Sequence, residues 1–347
     1  MRVEEAPSFW WQKPGFAAWA LLPLSALWGL VSGWRMEMAP SVYVSVPVLC
    51  VGNFIAGGAG KTPTAIAVCE AAVKHKFKPG FLSRGHGGRT PGPLLVDPAI
   101  HHAAEVGDEP LLLAEVAPTV ISVDRPAGAA RLIAMGCDLI ILDDGFQNPK
   151  LAKDFNLVVV DAGRGIGNGM TLPAGPLRAP LSVQMALADA VIVIGDGAAG
   201  DQAIRETARR GKPVYIARTV PARKSGWKGK RCLAYAGIGD PSKFFASLRE
   251  AGADVVAGHG FPDHHVFTDE EIGELLREAE EENLALVTTS KDMARLRHAG
   301  ALSDELAARS EVFEIRLEFD DPRTVKLVLD ATQAAAKAHN LKRHVAG

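Results

Sequence analysis

Short apolar runs alternate with helix-like segments through most of the chain. Runs rich in branched residues occupy 46–51, 80–83, 119–123, 138–142, 156–160 and 190–194, each bounded by turn residues. The clearest helix-like segments between them are 64–70, 126–135 and 202–210. Continuous apolar runs of this length are typical of parallel strands covered on both faces by helices. The pattern therefore predicts a doubly wound α/β domain whose functional groups lie at the carboxyl ends of the strands.

A second set of alternating segments follows. Strand-like runs occupy 213–217, 232–236, 285–289 and 312–317, and helix-like segments occupy 241–250, 269–282 and 322–337. We place a domain boundary near residue 212 and expect a smaller α/β domain after it. The predicted organisation is an N-terminal apolar helix over 1–40, the main domain over 41–212 and the smaller domain over 213–347.

The N-terminal segment 16–34 carries no charged residue. As one helix it would be roughly 28 Å long, close to the thickness of a bilayer core. Pro23 interrupts it, and Trp10, Trp11, Trp28 and Trp34 bracket it as interfacial anchors do. Three structures remain open: a spanning helix, a kinked helix lying in the membrane interface, or a buried helix of a soluble core. If the segment contacts a membrane, we expect a peripheral or monotopic contact on the cytoplasmic face.

Composition narrows the class of protein further. The chain has 347 residues and a net charge of −2, which gives no overall attraction to nucleic acid. Its four cysteines are scattered without a CxxC pair, which indicates buried thiols rather than a zinc site or a disulfide framework. One segment, 205–231, is strongly basic and is either a solvated face or a contact for anionic lipid or phosphate. No obligate protein partner is inferred.

The motif most informative about chemistry lies between an apolar run and a helix-like segment. Strand, glycine-rich loop and helix N-terminus together form a cradle for phosphate, because backbone N–H groups and the helix dipole point at the ligand. The usual spacing needs glycine at position 55, where this chain has Ile55, so the loop is a variant P-loop. It predicts a P-loop NTPase-like sheet that binds ATP. The nucleotide-binding residues are Gly57, Gly58, Ala59, Gly60, Lys61 and Thr62.

Two acidic pairs are candidates for metal binding and catalysis. Asp143 and Asp144 end a buried run, and together with the Thr62 hydroxyl they predict a Mg²⁺ site. Asp108 and Glu109 precede a helix predicted to start near Pro110, where acids are also ordinary capping residues.

A histidine-rich loop, 260–267, precedes a helix predicted to open after Thr268. It contains Asp263, His264 and His265 and could be a metal set, a base cluster or surface histidines. Without cysteine or HExxH spacing nearby, metal is the weakest of the three. An acid–imidazole pair suits a kinase, since the acceptor hydroxyl must lose its proton.

Several polar residues in turn-rich segments are candidates for substrate binding. Arg84 and Arg89 in the segment 83–89 carry planar guanidinium groups that suit oxyanions. Asn168 and Arg178 lie in a long Gly/Pro-rich loop of the kind that is usually functional. Gln147, which ends the Asp-Asp-Gly-Phe-Gln run, and Glu109 complete the predicted substrate contacts.

These motifs, in this order, resemble those of the tetraacyldisaccharide 4′-kinases, the lipid A 4′-kinases of Gram-negative bacteria. The matching motifs include SRGHGG, VGDEP, DDGFQ, PAGPLR, FPDHH and TTSKD, and together they span most of the chain. The resemblance implies transfer of the ATP γ-phosphate to the 4′-hydroxyl of a tetraacyl glucosamine disaccharide 1-phosphate, forming lipid IVA. It also implies a membrane-associated N-terminal helix and an active site between two domains.

Carried over by position, the resemblance gives Lys61 and Thr62 the phosphate and Mg²⁺ roles and makes Asp144 the metal acid, with Asp143 beside it. It makes Asp108 the base on the sugar hydroxyl, paired with His264.

Three residues depart from the family's pattern: Ala59 where threonine is more usual, Asn148 where histidine follows DGFQ, and Ala179 where glutamate follows PLR. The last removes an acid and puts one substrate or metal contact in doubt.

Two other functions remain open on the sequence. One is a P-loop kinase that acts on a different membrane lipid or sugar. The other is a nucleotide-switch ATPase, for which the paired GDEP and DHH motifs would have no evident role. The intact Gly-Lys-Thr and Asp-Asp-Gly runs argue against a non-catalytic binding module.

Overall fold

The structure is a computed structural model that describes residues 6–223 and 225–346. Its strands are β1 (Val48–Asn53), β2 (Pro79–Ser83), β3 (Leu94–Leu95), β4 (Thr119–Ile121), β5 (Leu139–Asp143), β6 (Phe155–Asp161), β7 (Ala190–Ile194), β8 (Val214–Pro221), β9 (Arg231–Ala236), β10 (Asp254–Gly260), β11 (Ala285–Thr288), β12 (Ser310–Val312) and β13 (Ile315–Phe319).

The helices alternate with these strands after a 3₁₀ turn at Ser8–Trp11. They are α1 (Phe16–Ala20), α2 (Leu22–Met38), α3 (Lys61–Lys74), α4 (Ala103–Val106), α5 (Asp108–Ala114), α6 (Arg125–Ala134), α7 (Leu181–Leu187), α8 (Ala198–Ala208), α9 (Pro241–Glu250), α10 (Asp269–Glu281), α11 (Ser290–Leu296), α12 (Ala301–Arg309) and α13 (Thr324–Ala346).

The large sheet has the order β13-β8-β7-β6-β1-β5-β2-β4-β3, and only its two outermost pairings, β13 with β8 and β3 with β4, are antiparallel. Strands β1, β2 and β5 are buried at every position, which explains their unbroken apolar runs. One apolar core lies under α3 and α13, and a second lies on the opposite face. The predicted α/β fold with a large, mostly parallel sheet is confirmed.

A separate four-stranded parallel sheet has the order β10-β9-β11-β12. The division predicted at residue 212 differs from this sheet membership. β8 pairs with β7, and β13 pairs with β8, so both belong to the large sheet, and α13 packs against α3 and β6. Short apolar runs do not encode which sheet they join, so the sequence did not show that these two strands extend the large sheet. The division into domains near residue 212 stays a prediction.

The N-terminal apolar segment forms two helices rather than one. The chain turns at Leu21, and Pro23 lies in the first turn of α2, where its missing N–H costs no helical hydrogen bond. In the described part of the chain, none of the helices combines the length and apolar character needed to cross a membrane.

The sides of α2 are arranged opposite to those of an ordinary surface helix. Its buried residues are Ser25, Gly29, Gly33 and Met36, which face the loop and helix around Thr171 and Pro180. Its large apolar residues point outward, and Leu27 and Leu30 are 62% and 72% exposed. This exposure contradicts the alternative of a helix buried in a soluble core.

The basic segment 205–231 is largely engaged in local pairs. Arg209 and Arg210 pair with Glu206, and Lys212 donates to two backbone carbonyls near the end of α7. Lys230 pairs with Glu311. These contacts favour the solvated charged face over a dedicated anion site.

Candidate active site

The glycine-rich loop joins β1 to α3, as the sequence predicts. Gly57 and Gly60 have φ of 100° and 86°, and a side chain added at Gly57 or Gly58 would meet nothing within 4 Å. The loop is therefore open on the side where a phosphate would bind. Lys61, the first residue of α3, is 7% exposed, and its Nζ lies 3.6 Å from Asp144 Oδ2. Ala59, which stands where threonine is more usual, is buried beneath the loop.

The two acids at the end of β5 have different surroundings. Thr62 Oγ1 donates to Asp143 Oδ2 at 3.3 Å, while the buried Asp143 Oδ1 has no hydrogen-bond partner among the described residues. Burial and the nearby Glu109 raise the pKa of Asp143. Burial alone would also raise the pKa of Asp144, but Lys61 and Arg178 outweigh it and lower that pKa to about 2.

These groups fit a Mg²⁺ ion. The orphaned Asp143 oxygen, the Thr62 hydroxyl and the ionised Asp144 are hard oxygen donors, and Mg²⁺ usually takes one or two carboxylates with phosphate and water. Within the described residues, no cluster of three or more His, Cys, Asp or Glu side chains forms an all-protein metal cage. The donor set therefore suits a metal shared with a nucleotide better than a structural metal.

Asp108 and His264 meet although they are 156 residues apart. His264 Nδ1 lies 3.1 Å from Asp108 Oδ2, and Arg295 Nε donates to the same oxygen at 3.0 Å. Burial alone would raise the pKa of Asp108, but the His264 hydrogen bond and the charges of Lys291 and Arg295 hold it well below its usual range. The same hydrogen bond raises the pKa of His264.

Asp108 is more enclosed than the sequence suggests. The helix begins at Asp108 itself, two residues before the predicted start, and the Asp108 side chain is 4% exposed. His264, not Asp108, lines the adjoining cavity. The acid–imidazole pair predicted from the sequence is thus present in geometry, with the imidazole at the cavity wall.

A single cavity of about 630 Å³ joins most of the predicted residues. Besides the P-loop and the acidic pair, its wall includes Arg84, Glu109, Gln147, Arg178 and His264. Arg178 makes two hydrogen bonds to Asp144, at 2.6 and 3.2 Å, and Gln147 Oε1 accepts a third bond from it at 3.3 Å. Arg178 therefore lies against the acidic pair rather than free in the cavity.

Asn168 and Arg89 do not line this cavity. The Asn168 side-chain amide donates to Phe9 O and Ala174 O, which fastens the N-terminal 3₁₀ turn to the long loop. A Gly/Pro-rich loop leaves backbone carbonyls without partners, and an amide side chain can donate hydrogen bonds to them. The residue type alone therefore did not show whether Asn168 binds the backbone or the substrate. Arg89 is exposed. Ala179 is fully buried, so a substituent there would face the core.

Lys291 and Arg295, which carry no role in the sequence reasoning, belong to the site. Lys291 lines the cavity, and its Nζ donates to Glu109 Oε1 at 2.7 Å. Burial alone would lower the pKa of Lys291, but Glu109 and Asp108 raise it. Lys291 belongs to the TTSKD motif, and Arg295 follows four residues later on the same helix; this i, i+4 spacing is the signal that could have found them.

Arg125, another residue not singled out from the sequence, also lines the cavity. It is 2% exposed and donates to Ser122 O, while its Nε has no partner within the described residues. Burial and the nearby Arg84 lower its pKa. A buried guanidinium with a free donor fits an anionic ligand. The available signal was a basic residue at the start of a helix, in the connection that follows a strand of the large sheet.

The apolar helix α2 forms one wall of the same cavity. Trp28 Nε1 donates to Arg178 O at 3.0 Å, and Trp28, Ser32, Arg35 and Met36 line the cavity along one face of α2. The exposed apolar side of that helix therefore adjoins the site.

Known proteins resemble this chain over nearly its whole length. The family model described as Tetraacyldisaccharide-1-P 4'-kinase matches residues 17–333. The tetraacyldisaccharide 4'-kinase of Agrobacterium fabrum is 50% identical over 340 residues, and the match covers 98% of each chain. This chain belongs to the tetraacyldisaccharide-1-P 4'-kinase family. The enzyme of the same name from Allorhizobium ampelinum is 52% identical over 334 residues, covering 94% of this chain and 97% of that protein.

A solved structure supports the same family. The LpxK of Aquifex aeolicus, crystallised with ATP, is 25% identical, with a TM-score of 0.68 over 91% of this chain and 99% of that one. Membership confirms the activity predicted from the motifs: the protein is an ATP-dependent kinase of lipid A biosynthesis. The two rival functions, a kinase of another lipid or a nucleotide-switch ATPase, are set aside.

Proposed function

We propose that the ATP phosphates bind in the loop Gly57–Thr62 and that the disaccharide's 4'-hydroxyl approaches between this loop and His264. The observation that carries the proposal is the meeting of the P-loop lysine, the acidic pair and the Asp108–His264 pair at one cavity. Catalysis of phosphoryl transfer consists largely of positioning and charge stabilisation. Lys61 and Arg125 supply positive charge for the phosphoryl oxygens.

Thr62, Asp143 and Asp144 are the residues that would hold Mg²⁺. When bound, the ion would neutralise negative charge on the phosphates. Asp143 is kept in place by the Thr62 hydroxyl, and Asp144 by the two bonds from Arg178. The protein thus orients both carboxylates before the ion arrives.

The Asp108–His264 pair accepts the proton of the attacking hydroxyl. Asp108 stays ionised because His264, Lys291 and Arg295 surround it, and its charge stabilises the protonated imidazole. Arg295 Nη1 also donates to Asp292 Oδ1 at 2.8 Å and to Gly237 O at 2.7 Å, so Asp108 is held by a rigid neighbour. Lys291 and Glu109 link α11 to α5 beside the pair.

The exposed apolar side of α2 rests in the membrane interface, on the cytoplasmic leaflet of the inner membrane, as a peripheral or monotopic contact. Leu24, Leu27, Leu30 and Trp34 are each more than half exposed, and such an apolar patch on a soluble protein marks an interaction surface. The acyl chains of the substrate then lie along α2, whose other side leads into the cavity.

Replacing both Leu27 and Leu30 with glutamine should weaken binding to phospholipid vesicles without unfolding the protein. A leucine side chain that becomes buried in the membrane contributes about 1.5–3 kcal/mol to the free energy of binding. We therefore expect roughly a tenfold or larger drop in partitioning of the protein onto vesicles for each leucine replaced. Vesicle co-sedimentation measures it. The matched control is Leu327→Gln on α13, also exposed (49%). Equal binding by the double variant and the control would exclude α2 as the membrane contact.

The proposed reaction is tested with ATP labelled in its γ-phosphate, Mg²⁺ and a tetraacyl-disaccharide 1-phosphate in detergent micelles. We expect label to move to the 4'-position of the lipid, and to require a divalent cation. Analysis of the product by mass spectrometry and selective hydrolysis locates the new phosphate. Label that appears as inorganic phosphate, with none on the lipid, would contradict the proposal.

A further inference from the structure

The two ends of the cavity differ in charge. At the nucleotide end the lining acids are Glu109, Asp143, Asp144 and Asp263, and each lies beside a cation or hydroxyl of the catalytic machinery. At the end formed by α2 and the segment after Gln147, the described charged residues of the wall are Arg35 and Lys150. This second end is therefore positive and contains no lining carboxylate among the described residues.

The backbone holds these two cations in place relative to each other. Directly after α2, Val42 N donates to Lys150 O at 2.9 Å, and Ser41 Oγ donates to Pro149 O at 2.5 Å. Val42 also forms a β-bridge with Leu151. The segment that carries Lys150 is thus tied to the end of the helix that carries Arg35.

Neither cation is engaged in an internal contact. Within the described residues, the side chains of Arg35 and Lys150 have no ion pair or hydrogen bond. By contrast, Lys61, Arg178 and Lys291 in the same wall all pair with carboxylates. Arg84, which directly follows β2, also has no ion pair or hydrogen bond among the described residues, and it lies near Arg125.

The part of α2 that lines the cavity is about as long as a disaccharide. Trp28 donates to the backbone carbonyl of Arg178, the residue whose side chain binds Asp144. Arg35 follows seven residues later on the same wall, about 10 Å further along the helix axis. In the substrate, two sugar rings separate the 4'-hydroxyl from the phosphate at position 1.

We propose that Arg35 and Lys150 form a subsite for the 1-phosphate of the substrate, so that this group sets the register of the disaccharide in the cavity. The inference rests on the proposed function and extends it to substrate selection. A planar guanidinium can bind two phosphate oxygens at once, and an ammonium adds a second charge. With the phosphate held there, the acyl chains leave the cavity along the exposed apolar side of α2.

The test compares two substrates: the tetraacyl-disaccharide 1-phosphate and the same lipid with a free 1-hydroxyl. Both are presented in neutral detergent micelles without anionic lipid, so that a membrane headgroup cannot supply the phosphate. The variants are Arg35→Gln, Lys150→Gln and their double. The control is Lys13→Gln, which removes one exposed cation from the N-terminal segment but none from the cavity wall.

With the 1-phosphate substrate, each variant should lose about tenfold in kcat/KM, mainly through KM, because a charge-assisted hydrogen bond is lost far from the reacting atoms. With the 1-hydroxyl substrate, the variants should match the wild type, which itself should use this lipid about 100-fold less well. Arg35→Lys should recover part of the loss. Lys13→Gln should behave as wild type with both lipids.

Equal losses on both lipids would overturn the proposal, because the two cations would then act independently of the phosphate. A wild type that does not distinguish the lipids, or an equal loss in Lys13→Gln, would also overturn it. Failure of the wild type to phosphorylate either lipid is a different result and would contradict the proposed function itself.

Discussion

Replacing Asp108 with asparagine should lower kcat by about 10²–10⁴, the usual cost of losing general acid–base catalysis. The amide cannot carry the charge that stabilises the protonated His264, whose ring lies 3.1 Å from the carboxylate. ATP binding should remain, because Asp108 does not line the cavity. Single-turnover transfer of labelled phosphate measures the first effect, and equilibrium binding of ATP measures the second.

The same pair predicts a pH dependence and a non-additive double variant. Asp108 raises the pKa of His264 above its usual 6.5, so wild-type kcat/KM should rise with pH through this raised pKa. In Asp108→Asn the rise should move to lower pH. Because the two residues act as a unit, adding His264→Gln to Asp108→Asn should cost little beyond the larger single loss. Additive losses, or an unchanged pH profile, would contradict the assignment.

Asp108 is also a partner of the buried Arg295, so a control for folding is needed. Asp292 remains 2.8 Å from Arg295 and keeps that guanidinium paired. Thermal unfolding of Asp108→Asn should therefore stay cooperative. If Asp108→Asn loses both activity and cooperative unfolding, the result would indicate a structural role for Asp108 rather than a catalytic one.

Replacing Lys61 with alanine should lower kcat/KM for ATP by about 10²–10³, as is typical when one preorganised charge is removed from a transition state. Lys61 begins α3 at the glycine-rich loop and is nearly buried beside Asp144. Its removal takes away the ammonium that faces both the phosphates and the acidic pair. Initial rates over a range of ATP concentrations, at saturating lipid, give this quantity.

The matched control is Lys74→Ala in the last turn of the same helix, where the side chain is exposed. It removes the same charge from α3 at the end remote from the loop and should leave ATP kinetics unchanged. Equal ATP kinetics in Lys61→Ala and Lys74→Ala would overturn the assignment of the P-loop.

Local motifs were predicted well because the chemistry they report is local. The loop between β1 and α3 needs glycines and a Lys-Thr pair within a few residues, and the structure has Lys61 at the start of the helix. Likewise, Asp143 ends a strand and Asp144 follows it, as the apolar run before them indicates. The order of strand, loop and helix and the positions of these side chains depend on residues that are close together in the sequence.

The sequence did not reveal the hydrogen-bond partners of Asn168 or the sheet to which the strands 213–217 and 312–317 belong. The composition of a loop does not show whether an amide faces a ligand or its own backbone, and Asn168 binds Phe9 O and Ala174 O. A short apolar run does not show which sheet it extends, and β8 and β13 extend the larger one.

By itself the sequence determined the α/β class, the P-loop, the acidic pair and the family, because each depends on residue types at fixed spacing along the chain. Only the tertiary structure decided that His264 lines the cavity with Asp108 behind it, that Lys291 joins Glu109, and that α2 turns its leucines outward. These are contacts between residues far apart in the chain, or the choice of which side of a helix is covered. Both depend on how the elements pack, since a helix with apolar residues on every side carries no mark of the face that will be buried.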